Sequence, residues 1–456
     1  MFTIKEILKA TDGQLIQGSL KRDARGVSID SRQIKADDLF VAIKGENFDG
    51  HDFLNDVIAK SASAVVVSKV KKFKNSDVPV ILVKDTIKAL GQLAHMHRMR
   101  FDIPLIAITG SAGKTTTKEM VAAVLSRKYK VLKNVGTHNN HIGVPMTLFQ
   151  LNSSHEAAVL ECGTNQPGDI PWLGYVVQPT VAVLTNIGAS HLEKLKNPSG
   201  VFREKITLAK HLSKTGTIIF NNDDAHLQRI TRRNLLQRRL TFGLNNKADY
   251  QARDIRAAGH HCLNFCVGPH RLTLPSLGRD NIYNALAATS CGRLLNVSYK
   301  DIAVSLKNFR FPKGRQVYQK IGSTWLIDDT YNANPVSMHS AIAVLHDFST
   351  KGRRILICAD MLELGKETER LHKKIGVLVG QSNIECLVTV GNYARLIARA
   401  VPQKNKKIEI HEFATQENLL GKLSRICQTG DVILVKGSRR MKMEKTIEFL
   451  TNHFKE

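Results

Sequence analysis

The stretch that decides the fold is IPLIAITGSAGKTTTKEM, Ile103 to Met120. An apolar run typical of a buried strand ends in a glycine-bracketed loop, which leads through Lys114 and Thr115 into a helical pattern. Backbone N–H groups of such a loop surround phosphates, the lysine reaches their oxygens, and the hydroxyl can hold Mg²⁺. Ile108 stands where the general motif has its first glycine, so this is a shortened phosphate-binding loop. We expect the nucleotide to bind at Thr109, Gly110, Ser111, Ala112, Gly113, Lys114, Thr115 and Thr116.

Length and composition exclude both a disordered chain and a single domain. The chain has 456 residues, of which 43% are hydrophobic, and single hydrophobic cores stop growing at about 250 to 300 residues. Lys and Arg number 66 against 40 Asp and Glu, a formal net charge of +26. That excess predicts an anionic partner, which could be nucleic acid, an acidic membrane surface or small anionic substrates. Without a long apolar run or an apolar signal core, we expect a cytoplasmic protein with no membrane insertion.

The chain carries seven cysteines, which we expect to be reduced core residues. Residues 260–270 concentrate His and Cys and invite a metal hypothesis. The same segment fits two short strands around a turn, with Cys262, Asn264 and Cys266 on one face, and it lacks the paired spacing of zinc sites. We therefore favour a hairpin over a metal site.

Strands that alternate with helices predict an α/β fold built on mostly parallel sheets. We divide the chain into three domains. Residues 1–83 form a small α/β domain that binds a substrate, residues 84–312 a central parallel-sheet ATPase domain around the phosphate-binding loop, and residues 313–456 a Rossmann-like domain.

Three basic runs, at 69–74, 232–240 and 404–407, are interpreted as solvated surface. They fall in different predicted domains and carry few aromatic residues, unlike a stripe that binds nucleic acid.

Two further residues follow neighbouring strands where each strand ends. Glu161 ends the apolar run AAVLE, and His191 comes shortly after TVAVLTN. Carboxyl ends of parallel strands meet at one edge of a sheet, so both side chains should lie near Thr115. Carboxylates and imidazoles can hold the metal of a nucleotide site. We predict that both are metal ligands; the alternative is that each is structural.

Four segments together resemble the Mur ligase family of ATP-dependent amide-bond-forming ligases. They are the shortened loop, the glutamate after its strand, NIGASHLE at 186–193 and DDTYNANP at 328–335. Matches run from Asp30 to Arg439, nearly the whole chain.

Within the family, NVGTHNNHIGVP at 134–145 and ADMLELG at 359–365 resemble members that add D-alanyl-D-alanine to UDP-N-acetylmuramoyl-tripeptide. The resemblance implies a carbon–nitrogen ligase of peptidoglycan precursor synthesis that works through an acyl phosphate. We expect a monomer that uses these two small-molecule substrates and binds no nucleic acid.

The resemblance implies ATP and two Mg²⁺ ions as cofactors. Thr115 and Glu161 would bind one ion and His191 the other, helped by a carbamylated lysine expected at Lys205. The flanks of Lys205 depart from the family pattern, and Lys210 is the weaker alternative. The implied catalytic residues are Lys114, Glu161, His191 and Lys205.

Further nucleotide contacts are implied at Asn281 and Asn284, although Asp280 stands where the family usually has His. Arg315 resembles the family residue that meets the γ-phosphate, and Asp329 the one that touches ATP when the third domain closes.

The implied substrate residues fall in three groups. Those matching the family's uridine-diphosphate site are Ser31, Arg32, Lys44, Asp49 and His51. Those expected to face the sugar or peptide are Asn139 and Asn140, and the candidates for the D-alanyl-D-alanine end are Asn332, Asn334 and Asp360.

Two other functions stay open from the sequence. A sibling ligase that adds a single amino acid should carry a D-Y-A-H-type segment where this chain has DDTYNAN. A nucleic-acid-binding protein switched by its phosphate-binding loop would be expected to show an aromatic-interleaved basic stripe. The identity of the third residue of the tripeptide has no motif that decides it.

Overall fold

The structure is a computed structural model, and it describes residues 1–70, 77–232, 236–259, 261–401 and 408–455. His260 and the basic run at 404–407 lie outside the described residues, as do parts of the runs at 69–74 and 232–240.

The first unit is a small α/β layer whose central strands are continuous runs of branched apolar residues. Its sheet has the strand order β2-β7-β6-β5-β4, parallel except for the β2–β7 pair, and β1 pairs with β3. Its elements are β1 (Phe2–Thr3), α1 (Ile4–Thr11), β2 (Gln14–Gln17), β3 (Asp23–Ala24), β4 (Gly26–Ser28), β5 (Asp38–Val41), α2 (Leu54–Ala59), β6 (Ala64–Val67) and β7 (Val80–Leu82). Helix α3 (Thr86–Arg98) follows and leads to the central unit.

The central unit holds the large sheet, of order β16-β15-β14-β13-β12-β11-β8-β10-β9. Strands β8, β10, β11 and β12 are buried along their whole length, as parallel strands covered on both faces must be. Its elements are β8 (Leu105–Thr109), α4 (Lys114–Leu125), β9 (Val131–Lys133), α5 (Gly143–Leu148), β10 (Ala157–Glu161), α6 (Asp169–Val177), β11 (Val181–Leu184), α7 (Leu192–Leu195), α8 (Pro198–Lys205), β12 (Thr217–Asn221), β13 (Arg238–Gly243), β14 (Tyr250–Ala258), β15 (Cys262–Val267), β16 (His270–Leu274), α9 (Arg279–Leu294) and α10 (Tyr299–Lys307).

The hairpin predicted around residues 260–270 is confirmed by the antiparallel pair β15–β16. Burial alternates along β15, so Cys262, Asn264 and Cys266 share the less buried face.

The third unit has the strand order β17-β18-β22-β19-β20-β21, parallel except for the β17–β18 pair. Strands β17 and β21 lie at the sheet edges and lack the continuous apolar run of the inner strands, so the sequence pattern alone does not reveal them. The elements are β17 (Val317–Ile321), β18 (Thr324–Asp329), α11 (Pro335–Asp347), β19 (Arg354–Ala359), α12 (Thr368–Gly380), β20 (Cys386–Val390), α13 (Arg395–Arg399), β21 (Glu409–Phe413), α14 (Gln416–Leu420), α15 (Leu423–Ile426), β22 (Val432–Lys436) and α16 (Glu444–His453).

The three units pack against one another. One apolar cluster contains Val66 of the first unit, Leu160 of the second and Met338 of the third. The predicted α/β class with three domains is confirmed, and the boundaries at 83 and 312 stay predictions. In the described ranges, no helix has both the length and the apolar character that a membrane crossing needs.

Helix α6 is held at its start by a side chain from helix α8. The buried carboxylate of Glu204 accepts hydrogen bonds from the backbone N–H groups of Gly168, at 3.0 Å, and Ile170, at 2.8 Å. Both groups belong to the unpaired donors of a helix N-terminus, which a carboxylate can satisfy.

Replacing Glu204 with Ala should lower the free energy of unfolding by about 3 kcal/mol, because two buried N–H groups lose a charged acceptor. Urea denaturation measures the change. The exposed neighbour Arg203, replaced with Ala, is the matched control and should stay within about 0.5 kcal/mol of wild type. An equal effect of the two substitutions would contradict the capping role.

Candidate active site

The phosphate-binding loop joins the end of β8 to the start of α4, and it is shaped by glycine and by a neighbouring strand. Gly113 has φ +79°, and a Cβ there would lie 2.5 Å from Oδ1 of Asn284. Only glycine tolerates both conditions. Two residues after β11 hold Ala112: the Asn186 side chain accepts the N–H of Ala112 at 2.9 Å, and the Thr185 hydroxyl donates to the carbonyl of Ala112 at 2.6 Å. The loop is therefore held open in one conformation.

Glu161 is the buried carboxylate at the centre of the site, only 1% exposed. One carboxylate oxygen accepts from the Thr115 hydroxyl at 2.8 Å, and the other accepts from the Asn139 amide at 2.7 Å. The side chain of Asn134 accepts the backbone N–H of Glu161 at 3.0 Å and donates to the backbone carbonyl of Glu161 at 3.2 Å. The carboxylate is thus fixed next to the hydroxyl at the start of α4.

Three basic side chains, Lys114, Lys205 and Arg315, interact electrostatically with this carboxylate. Burial lowers the pKa of Lys114 and of Arg315, while the charge of Glu161 opposes the shift in both. Burial lowers the pKa of Lys205 well below its ordinary value, and the charge of Lys114 lowers it further. Lys114 and Arg315 therefore present positive charge beside Glu161 in surroundings with little water, where an anion is attracted strongly.

Lys205 is not the exposed helix cation that a single lysine usually is, because it is 1% exposed at the end of α8. Among the described residues, its amino group has no hydrogen-bond or ion-pair partner. Lys210, the alternative considered from the sequence, lies exposed at the surface. The two lysines therefore differ in burial, and burial favours the neutral form of an amine.

The third unit is docked onto the phosphate-binding loop. The Arg315 guanidinium lies 3.4 Å from Oγ1 of Thr115 and stacks 4.0 Å above the Tyr331 ring. The Tyr331 hydroxyl donates to Oγ1 of Thr137 at 2.6 Å, and the Asn334 amide lies 3.4 Å from the carbonyl of Ser111. Residues from two units thus form one site.

Asp329 is paired inside the third unit. Its carboxylate lies 2.6 Å from Nζ of Lys436, which also donates to the carbonyl of Asn332 at 2.9 Å. Both charged side chains are buried. Sequence reasoning missed Lys436, although its place at the end of an apolar strand mirrors that of Glu161.

The predicted further nucleotide contacts, Asn281 and Asn284, belong to a chain of buried polar side chains. Thr117 donates to Asn284 at 3.0 Å, Asn284 to Asn281 at 2.9 Å, and Asn281 to Gln316 at 2.9 Å. The chain links α4 and α9 to the third unit through Gln316, another residue that the sequence did not reveal.

His191 immediately precedes helix α7, and its Nδ1 lies 2.7 Å from a carboxylate oxygen of Glu363 in the third unit. The carboxylate of Asp360, a few residues earlier, instead accepts backbone N–H groups at 392–394.

A cleft of about 810 Å³ gathers most of the predicted residues at the carboxyl ends of the strands. Its lining includes Ser111, Ala112, Gly113, Lys114, Thr115, Thr116, Asn139, Asn140, Glu161, His191, Asn281, Asn284, Arg315, Asp329, Asn332 and Asn334.

The predicted residues of the first domain stand apart from this lining. Arg32 pairs with Asp30 at 2.8 Å and is exposed, as is Lys44. Asp49 accepts from Nδ1 of His51 at 2.6 Å, and Nε2 of His51 accepts the N–H of Ser68 at 2.9 Å.

These contacts shape the loop from Lys44 to Asp49, which reaches the cleft through Glu46. Ser31, the remaining member of the set, accepts from the Lys60 amine at its backbone carbonyl. Contacts of this set with substrate stay a prediction.

Lys118 on α4 is a supporting residue that no motif pointed to. It is fully buried, and its amine donates to the carbonyls of Asn134, at 2.6 Å, and Gly136, at 2.9 Å. It also lies 2.9 Å from the carboxylate of Glu119. Because Asn134 holds the backbone of Glu161, Lys118 anchors the segment that positions the central carboxylate.

Replacing Lys118 with Met should lower the free energy of unfolding by about 3 kcal/mol, since two buried carbonyls lose their donor. Urea denaturation measures the change, and Lys88→Met, at an exposed position of α3, is the control. A Lys118→Met protein as stable as this control would show that the amine does not support the segment.

Comparison with known proteins identifies the family. "Mur ligase family, catalytic domain" matches residues 23–98, "Mur ligase middle domain" residues 108–292 and "Mur ligase, glutamate ligase domain" residues 315–439. A UDP-N-acetylmuramoyl-tripeptide–D-alanyl-D-alanine ligase of Bacillus subtilis (strain 168) is 33% identical over 452 residues, covering 98% of this chain and 98% of the relative.

Solved structures agree with this match. A crystal structure of MurF from Acinetobacter baumannii has a TM-score of 0.91 at 31% identity, covering 100% of this chain and 99% of its own. The structure of MurF ligase from Thermotoga maritima in complex with ADP has a TM-score of 0.83 at 26% identity, covering 94% and 98%.

The chain belongs to the Mur ligase family of ATP-dependent ligases, as its sequence predicted. Within that family, the Bacillus subtilis relative is a D-alanyl-D-alanine ligase, and the likeness to it extends over almost the whole of both chains.

Proposed function

We propose that this protein joins D-alanyl-D-alanine to the peptide carboxylate of UDP-N-acetylmuramoyl-tripeptide, at the expense of ATP, in peptidoglycan precursor synthesis. The observation that carries the proposal is the buried Glu161 carboxylate, hydrogen-bonded to Thr115 of the phosphate-binding loop, in a cleft that Lys114 and Arg315 also line. The name of the full-length relative supports the choice of substrates, and the ADP complex of the Thermotoga protein supports the nucleotide.

The chain's own residues supply positioning and charge for two successive bond changes. The tripeptide carboxylate oxygen forms a bond to the γ-phosphorus while the bond to ADP breaks, which gives an acyl phosphate. The dipeptide amine then bonds to the acyl carbon, loses a proton and displaces phosphate. Lys114 and Arg315 offset the charge that spreads over the transferring oxygens. The docked third unit shields the acyl phosphate from water.

The donor set fits the expected metal and the modified lysine. The Thr115 hydroxyl and the Glu161 carboxylate, 2.8 Å apart, are hard oxygen donors of the kind Mg²⁺ prefers. Among the residues that the structure describes, the buried amine of Lys205 has no hydrogen-bond partner, and burial lowers its pKa well below the ordinary value. Both favour the neutral amine, which can react with CO₂ to form a carbamate carboxylate and release a proton. Thr115 and Glu161 would hold one ion, and His191 and carbamylated Lys205 the second. Bound Mg²⁺ supplies charge stabilisation to phosphoryl transfer.

The remaining expectations belong to the same proposal: a cytoplasmic monomer that uses two small-molecule substrates and no nucleic acid. Under it the lysines and arginines that line the cleft pair with the phosphates and carboxylates of the substrates.

The test is phosphate release from Mg-ATP by the purified protein, with UDP-N-acetylmuramoyl-tripeptide and D-alanyl-D-alanine supplied together and separately. Release should require both substrates, and Lys114→Ala should abolish it while far-UV circular dichroism stays that of wild type. Release that needs a single amino acid instead of the dipeptide would favour the sibling ligase. ATP turnover regardless of both would remove the proposal.

Lys205→Ala should lose most activity and regain part of it when formate or acetate is added, because a small carboxylate can enter the space of the carbamate. Lys210→Ala is the matched control, and its turnover should be close to wild type. Phosphate release with and without the added acid measures both. Normal turnover by Lys205→Ala would contradict the carbamate assignment.

A further inference from the structure

The loop that carries His191 meets a loop of the third unit that the proposed chemistry leaves without a role. His191 follows β11, and Glu363 follows β19. Both residues have left-handed backbones, with φ +52° and φ +63°, which non-glycine residues rarely adopt. Their side chains meet with Nδ1 of the imidazole 2.7 Å from a carboxylate oxygen.

The backbones around this pair also pack closely. The N–H of Glu193 lies 3.5 Å from the carbonyl of Glu363, and a Cβ on Gly365 would lie 3.3 Å from Cα of Glu193. Leu192 and Leu364, which flank the pair, are buried in the same apolar cluster. Tertiary packing therefore brings the two side chains together.

The hydrogen bond with Glu363 decides which ring nitrogen of His191 is left to bind a metal. An ionised carboxylate only accepts hydrogen bonds, so Nδ1 of His191 carries the proton. Nε2 has no hydrogen-bond partner among the described residues, and His191 lines the cleft that holds Thr115 and Glu161. A carboxylate behind a histidine is the usual means of orienting an imidazole whose far nitrogen binds a metal.

An ion pair with side chains exposed by 20% and 48% adds little to stability in water. The left-handed backbones of His191 and Glu363 are therefore better explained by orientation of the imidazole than by a gain in folding stability.

We propose that Glu363 is a positioning residue for the second metal site. Its carboxylate fixes the tautomer of His191 and aims Nε2 at the ion, and it reaches His191 only from the docked third unit. Docking of that unit and completion of the second metal site are therefore one event. The inference rests on the proposed function, in which His191 is a ligand of the second ion.

The test counts bound Mn²⁺, a paramagnetic substitute for Mg²⁺, on the full-length protein by electron paramagnetic resonance. The protein is saturated with the non-hydrolysable β,γ-imido analogue of ATP and with UDP-N-acetylmuramoyl-tripeptide. Wild type should bind two Mn²⁺ per chain. Glu363→Ala should weaken the second Mn²⁺ on the order of 10- to 100-fold and leave the first unchanged.

Two substitutions separate orientation from a general effect of charge. Glu363→Gln keeps an oxygen that accepts the Nδ1 proton, so it should fall between wild type and Glu363→Ala. Glu367→Ala removes a carboxylate from the same segment, where it pairs with Arg370, and should bind Mn²⁺ as wild type does. Thermal unfolding of each variant checks that it is folded.

Two Mn²⁺ bound by Glu363→Ala as tightly as by wild type would overturn the inference. His191→Ala shows which assumption has failed. Loss of the second ion in His191→Ala alone leaves the metal assignment standing without the role of Glu363. Retention of both ions in His191→Ala removes His191 as a ligand, and the inference with it.

Discussion

The site depends on one buried carboxylate and the cations that gather around it. Glu161 has lost almost all contact with water, and a buried charge is tolerable only when it is paired and hydrogen-bonded. Thr115 and Asn139 supply the hydrogen bonds, and Lys114 and Arg315 supply the opposite charge. Lys114 and Arg315 also line the cleft, so phosphate groups are suited to that place.

The same cluster explains why the third unit belongs to the active site. Arg315 comes from that unit and reaches Thr115 at the start of α4, while Tyr331 stacks under the guanidinium and bonds to Thr137. Under the proposed function, a cation delivered by a separate unit would tie stabilisation of the transferring phosphoryl group to docking of that unit. The contact of Glu363 with His191 lies on the same interface and follows the same logic.

Support for the site extends beyond the groups that face the cleft. Lys118 anchors the segment of Asn134, and Asn134 in turn holds the backbone of Glu161. The amide chain through Asn284 and Gln316 joins helix α4 to the third unit. Such surrounding bonds keep reacting groups within the small tolerances that catalysis requires.

The sequence by itself determined the class of fold, the main strands and the centre of the site. Apolar periodicity is a local property of the sequence, and parallel strands bring their carboxyl ends to one edge of a sheet. The sequence alone therefore predicts that Lys114, Thr115, Glu161 and His191 lie close together. Only the tertiary structure decided which charged groups lose water and which groups meet across units. Lys205 and Lys210 look alike in sequence, yet one is buried and the other exposed.

The missed contacts share one property, a large distance along the chain. Lys436 contacts Asp329, which lies 107 positions away in the chain, and Glu363 contacts His191, which lies 172 positions away. No local pattern signals such a meeting, because burial and pairing are properties of the packed whole.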